Sequence, residues 1–446
     1  MIGARGLPAL LPAHGVSSRQ DLPLPFGYAL TGAVVALVAS FLALAFLWRT
    51  ARFRGDAAGR ELPAPLAEFL DSRELRAGLR LVGLLLVGFT AFAALAGPDL
   101  ATNPTAGLVY VVFWVGLIPA SLLFGPIWKL LNPLRTIHLA LLRLLRVDPA
   151  EPPLRLPRWV GYWPGAIGLF SFVWLELCAP NRDSLSTLRT YFAVYGGLNL
   201  LGALAFGAIW FDRCDGFEAF SSTMGRLSML GRRDDGKLVL RNPLENVDTV
   251  PMAPGLVGLL GVMLGSTAFD TFGSTAWWIN YSYSSSLSPA TLSTLALLIS
   301  IGIVMTAFVA ASCLSGLLSG RPPFGTAGQF AHSLVPIAVG YLIAHYLSLL
   351  VFAGQQALIR ASDPLVNGSN WFGTAHRNVD YAVLTTTSIA TIQVISIVTG
   401  HVLGVFSAHD RAVRLFPATK AVIGQLPIMA LMVGYTIGGL SLLFQG

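Results

Sequence analysis

Gly265-Ser-Thr-Ala-Phe-Asp-Thr-Phe-Gly-Ser-Thr-Ala-Trp-Trp278 lies inside an apolar segment that starts near Gly255, and its reading decides the fold. The segment is long enough to be a membrane helix, and it places one carboxylate, Asp270, where hydrocarbon is expected. An ionisable group inside a membrane helix costs roughly 2.5–3.5 kcal/mol on insertion scales, which marks it as a candidate functional group. The Trp277-Trp278 pair reads as an interfacial belt. Asp270 then lies eight residues, or about 12 Å, below the surface. A plainer reading has its carboxylate satisfied locally by Ser266, Thr267 or Ser274, or left protonated.

The rest of the chain agrees with a membrane setting. Of its 446 residues 54% are apolar and only 11% charged, and the mean hydropathy is +0.67. Such a composition describes an all-α polytopic membrane protein in contact with a lipid bilayer. Lys and Arg number 29 against 22 acidic residues. That excess follows the membrane loops and does not gather on a soluble face, so nucleic acid is not an expected partner. Cys178, Cys214 and Cys313 are widely spaced with no Cys-x-x-Cys, and no disulfide framework or zinc ribbon can be read from them.

About ten transmembrane helices are predicted, near 26–48, 79–97, 108–128, 161–180, 191–211, 255–278, 290–319, 327–352, 381–408 and 426–444. Residues 1–25 form a polar, proline-rich tail outside the cytoplasm, and 26–446 form the transmembrane domain. With the N-terminus outside, the cytoplasmic loops hold 23 of the 29 basic residues. The positive-inside rule then puts both termini on the extracytoplasmic side of a bacterial inner membrane. Cleavage after Ala13 would leave His14 as an N-terminal histidine able to chelate copper, although the apolar run before it is short.

A weak internal repeat of parallel orientation is read, with chance agreement over five residues as the alternative. Phe124-Gly-Pro-Ile-Trp128 ends the third span, and Phe206-Gly-Ala-Ile-Trp210 ends the fifth. Each is followed by a basic cytoplasmic segment, a proline-containing approach and a span running outward. In that register Glu176 and Asp270 occupy corresponding places, so a two-fold axis along the membrane normal would bring them to one interior. The basic segments predict amphipathic cytoplasmic helices near 130–150 and 215–233. The first would lie on the anionic leaflet through Arg135, Arg143 and Arg146, with His138 solvated. The run Arg232-Arg-Asp-Asp-Gly-Lys237 reads as a solvated turn.

The imposed topology collects polar groups near the outer face. Glu176, Asp270 and His345 come from three spans, and the 353–380 connection adds Asp363, His376 and Asp380. His14 and Asp21 arrive on the same side. Carboxylate and imidazole are ligands for a divalent metal ion such as zinc, manganese or copper. Two neighbouring carboxylates also make a general acid and a base, which puts Asp270 and Glu176 forward as catalytic residues. The plainer reading is a set of interhelical hydrogen bonds. A second group, His332, His401 and His409, faces the cytoplasm. It suits an interface clamp on the loops there, and haem ligation is the other reading. Phosphate-cradling glycine motifs and a Gly-x-Ser-x-Gly elbow are absent from the sequence, which argues against an ATP-driven pump and a serine hydrolase.

Several stretches together resemble a known family. They are Ala13-His-Gly, Arg19-Gln-Asp-Leu-Pro23, Phe172-Val-Trp-Leu-Glu176, Ser266-Thr-Ala-Phe-Asp270, His401-Val-Leu-Gly-Val405, Ala408-His-Asp-Arg411 and Met432-Val-Gly-Tyr-Thr-Ile-Gly-Gly439. They resemble the bacterial integral membrane family named fenitrothion hydrolase, over nearly the whole chain. The resemblance implies a membrane-embedded hydrolase, or a component of one, acting on organophosphorus triesters, lipophilic small molecules that partition into the bilayer. A metal held by His345, Asp270 and Glu176, with His376 or His14, would activate water there. The competing readings are a metal or small-solute transporter, and an accessory subunit that anchors a second membrane component. A transporter needs polar groups along a continuous path, whereas an enzyme needs only the outer cluster.

Overall fold

Proline and hydroxyl side chains set where the helices begin. The computed structural model describes residues 19–444. Its helices are α1 (Phe26–Leu47), α2 (Arg73–Ala96), α3 (Thr105–Phe124), α4 (Pro133–Leu145), α5 (Trp163–Leu177), α6 (Leu185–Phe206), α7 (Gly216–Met224), α8 (Leu256–Gly273), α9 (Pro289–Ser319), α10 (Thr326–Ala361), α11 (Thr386–Leu415) and α12 (Ile423–Leu443). Ser184, Ser288 and Thr385 cap α6, α9 and α11, each accepting a backbone N–H from the first turn. Proline occupies the first turn of α4, α5 and α9, where its missing N–H costs nothing.

The chain is an all-α polytopic membrane protein. Eight helices, α1, α2, α3, α8, α9, α10, α11 and α12, are long and apolar enough to cross a bilayer. To them the bundle adds the 15-residue apolar helix α5 and the 22-residue α6. Burial sorts the rods. In α8 and α10, 72% of the apolar window is buried, against 17–22% in α1, α2 and α9. The first two form the core, and the other three offer their leucines to lipid. The seam between α10 and α11 is made by glycine: a side chain at Gly340 would meet the Ser396 carbonyl, and one at Gly400 the Pro336 carbonyl.

The internal repeat has a backbone counterpart. Gly125 and Gly207, which end α3 and α6, share a left-handed φ of 75° and 73°. Gly161 and Gly255, just before α5 and α8, also have positive φ. Glu176 and Asp270 each stand fifteen residues after such a glycine. The backbone segments leading into α5 and α8 cross, with Tyr162 N–H donating to the Pro254 carbonyl at 2.7 Å. A side chain on Gly161 would strike Pro254, and one on Gly255 would strike Trp163. Helices α5 and α8 then run side by side.

Several expectations need correction. Helix α8 stops at Gly273, and Trp277 and Trp278 belong to a separate short helix, Ala276–Ser284, capped by Thr275. Asp270 is therefore three residues from the end of its helix rather than eight. The segment near 215–233 is no surface helix: α7 is buried over most of its length, and Leu230–Arg232 (β2) pairs with Leu238–Leu240 (β3). Arg60–Glu61 (β1) completes that small antiparallel sheet. Its turn holds the exposed residues Asp234 to Lys237, as expected of the charged run. Helix α4 does not lie on a leaflet through Arg135, which turns inward to ion-pair with Glu218 and Asp212. His138 is buried against Phe211, with ring centroids 5.7 Å apart.

Candidate functional site

Three core helices converge on one carboxylate–imidazole pair at the end of the bundle that carries the 362–385 connection. His345 Nε2 and Asp270 Oδ2 are 2.7 Å apart, His345 is fully buried, and 18% of the Asp270 side chain is exposed. The Tyr346 hydroxyl donates to the same Oδ2 at 3.3 Å, and its ring stands edge-on to the imidazole. On the far side of the ring Nδ1 lies 3.1 Å from Thr271 Oγ1. The local geometry follows from helical spacing. Asp270 and Thr271 are consecutive on α8, His345 and Tyr346 are consecutive on α10, and the two helices pack directly.

Glu176, from α5, completes the cluster. It lies within electrostatic reach of Asp270 and Tyr346, and its Oε2 is buried with no hydrogen-bond partner. Trp114 Nε1 faces the Glu176 carboxyl and the Tyr346 hydroxyl without closing a hydrogen bond to either. Above them Arg182 donates to the Glu176 carbonyl at 2.6 Å, and Tyr110 holds Arg182 through its carbonyl. Two π-helical segments, Leu108–Val115 and Leu349–Ala353, touch each other beside the cluster. The first has a sequence cause. Pro119 has no N–H to offer the Val115 carbonyl, and the ladder widens so that Gly116 N–H reaches Val111.

The structure thus joins Asp270, His345 and Glu176. It leaves His376 exposed in the 362–385 connection, outside any group with them. His14 lies outside the described residues. Asp363 and Asp380 shape turns instead: Asp363 accepts from Asn367, Gly368 and Ser369, and Asp380 from Ala382. Among the described residues no three His, Cys, Asp or Glu side chains group at metal-ligating spacing. Both His345 nitrogens are engaged, Nδ1 with Thr271 and Nε2 with Asp270. Sequence reasoning missed Thr271, Tyr346 and Trp114, although the first two adjoin residues it had chosen.

At the basic end the histidines divide. His409 contacts Gln425 Oε1 through Nδ1 and the Trp48 carbonyl through Nε2, at 3.0 and 2.9 Å. Asp410 accepts from Trp48 Nε1 and from the Arg52 N–H and pairs with Arg414; Asp248 pairs with Arg411 and Arg414. Of the three histidines expected to clamp this end, His409 does so, tying α11 to Trp48 and Gln425. His332 Nε2 sits 3.3 Å from the Ser407 carbonyl. His401 contacts the Ile397 carbonyl through Nδ1, and its Nε2 is buried and unpartnered. A groove of about 390 Å³ opens here, lined by Trp163, Met252, Met305, Val309 and Gln329 among others.

A second buried polar cluster joins the repeat units. Asn132 and Asp215 cap α4 and α7, and Asn132 Nδ2 donates to Asp215 Oδ2 at 2.8 Å. Tyr195 donates to Asp215 Oδ1 at 2.5 Å. Burial, reinforced by the Glu218 carboxylate, raises the Asp215 pKa to about 6 against the hydrogen bonds it accepts. A carboxyl raised on folding binds its proton more tightly folded than unfolded. Its burial therefore costs nothing below the ordinary carboxylate range and the most above the folded value. Stability is expected to fall by about 3 kcal/mol as pH rises from about 4 to about 6. Asp215→Asn should flatten that dependence, which thermal unfolding of the detergent-solubilised protein across this range will read.

No protein-family model, curated protein or solved structure matches the chain.

Proposed function

We propose that the chain is an ion-coupled transporter of a metal ion or small solute, multi-pass in a bacterial inner membrane. Its basic end faces the cytoplasm and both termini face out. One observation carries this reading: buried polar groups, several of them unsatisfied, continue from the acidic cluster toward the basic end. Tyr341, one turn from His345, has a buried hydroxyl without a partner and packs with Ile397. His401 follows Ile397 by one turn, and Ser407 Oγ, also unpartnered, leads to His332. Gln329 of the groove stands one turn from His332. Buried polar atoms within a membrane bundle are costly and mark ion and solute paths. Touching π-turns add the helix irregularity that transport sites use.

Membrane-embedded hydrolysis of an organophosphorus triester is the second reading. What favours it is that Asp270 keeps part of its side chain exposed at one end while Glu176 supplies a second carboxyl group beside it. A divalent ion at this place would have to draw His345 away from Asp270.

One experiment addresses both. Proteoliposomes enclosing a pH dye are given an imposed membrane potential and offered zinc, manganese or copper ions, and separately fenitrothion. The transport reading expects a metal-dependent internal pH change that His401→Leu reduces. Phenol release from fenitrothion with no metal-dependent pH change would replace it with the hydrolase.

A further inference from the structure

We infer that the ion handled at the acidic cluster is a proton, exchanged between Glu176 and the Asp270–His345 pair; this deepens the transport reading by naming its coupling ion. The available hydrogens fix the tautomer. Thr271 has one hydroxyl hydrogen, and it is donated to the Thr267 carbonyl at 3.0 Å. Thr271 Oγ1 can then only accept, so His345 Nδ1 carries a hydrogen and donates it. His345 Nε2 and Asp270 Oδ2, 2.7 Å apart, must share one further proton, because two bare acceptors at that distance would repel.

The surroundings select against other cations. Sodium, magnesium and calcium sites are built from oxygen lone pairs. Here three donors are aimed at the two carboxylates: the Tyr346 hydroxyl, the His345 ring and the indole N–H of Trp114. Trp114 is 3% exposed and its Nε1 is unpartnered, as is Glu176 Oε2, so a donor and an acceptor are both unsatisfied around one spot. The other ionisable groups facing it are Arg182 and Asp183 on the connection after α5, Tyr110 on α3 and Tyr341 on α10. Arg182, on the exposed side, adds a further charge that disfavours a metal cation.

The transfer balances. The O–H bond of Glu176 breaks and a water molecule relays the proton, so that an O–H bond forms on Asp270, whose formerly shared proton becomes the Nε2–H of an imidazolium. Glu176 passes from neutral to −1 and the pair from neutral to +1. Release to the far side restores the pair, and uptake from the exposed side restores Glu176.

Infrared difference spectra of the full chain in liposomes, taken on stepping pH, read the carboxyl C=O band, and ¹⁵N-histidine spectra read His345. The expected result is a pH-dependent carboxyl band that disappears in Glu176→Gln, persists in Glu176→Asp and ignores exchange of sodium for potassium. His345 Nδ1 should be protonated. A band untouched by Glu176→Gln, a band abolished by sodium, or an unprotonated Nδ1 overturns the inference. The expected spectra without metal-dependent flux in the dye assay would support it while removing the transport reading.

Discussion

Asp410→Ala is expected to be the most destabilising single change in the chain. Asp410 is fully buried at the basic end of α11 and accepts from Trp48 Nε1, the Arg52 and Phe53 N–H groups and Arg414. Alanine leaves two backbone donors, an indole and part of a guanidinium without their acceptor. Removing one member of a buried pair costs about 3–5 kcal/mol, much of it from the groups left behind. The connection after α1 is tied to α11 by this carboxylate together with His409 on the Trp48 carbonyl and Arg414 on the Phe53 carbonyl, so its loss should loosen residues 48–53. Thermal unfolding in detergent, with proteolysis of that connection as a local readout, checks the outcome. An unchanged midpoint would mean that Arg414 and Asp248 hold the clamp alone.

Asp270→Asn should abolish function while leaving the fold intact. Asparagine keeps the shape and can still hydrogen-bond to Tyr346 and His345, so the packing of α8 against α10 survives. What it loses is the proton shared across 2.7 Å. Positioned acid–base groups contribute roughly 10²–10⁴-fold, and a loss of at least about 100-fold in metal-driven proton flux, or in phenol release, is the expected result. His345→Ala should match it in function but also destabilise, because it opens a cavity in a fully buried place and leaves Asp270 facing it. Flux assays beside unfolding midpoints separate the two variants. Full flux in Asp270→Asn would remove the carboxylate–imidazole pair from the mechanism.

Some of the cluster could be read from isolated segments. An acidic residue in Thr267-Ala-Phe-Asp-Thr271 and a histidine in Tyr341-Leu-Ile-Ala-His345 each stand out against apolar neighbours, and the repeat suggested that Glu176 would meet Asp270. The ends of the segments were harder. Hydropathy carried α8 through to Trp278, yet Ser274 and Thr275 stop one helix and cap the next. Arg135 and His138 look like a surface stripe from their spacing, but the charge on the facing element, Glu218, draws Arg135 inward. His376 and Asp363 share a loop with the site in sequence and not in space.

By itself the sequence determined that the chain is an all-α polytopic membrane protein and that a few ionisable groups lie within its apolar segments. These follow from hydropathy and length, properties each segment carries alone. Only the tertiary structure decided that Asp270 faces His345 from 75 positions away, that Thr271 orients the ring, and that His376 stays outside. Such pairings depend on how helices rotate and cross, and that is set by glycine contacts such as Gly340 on Gly400, acting between segments rather than within them.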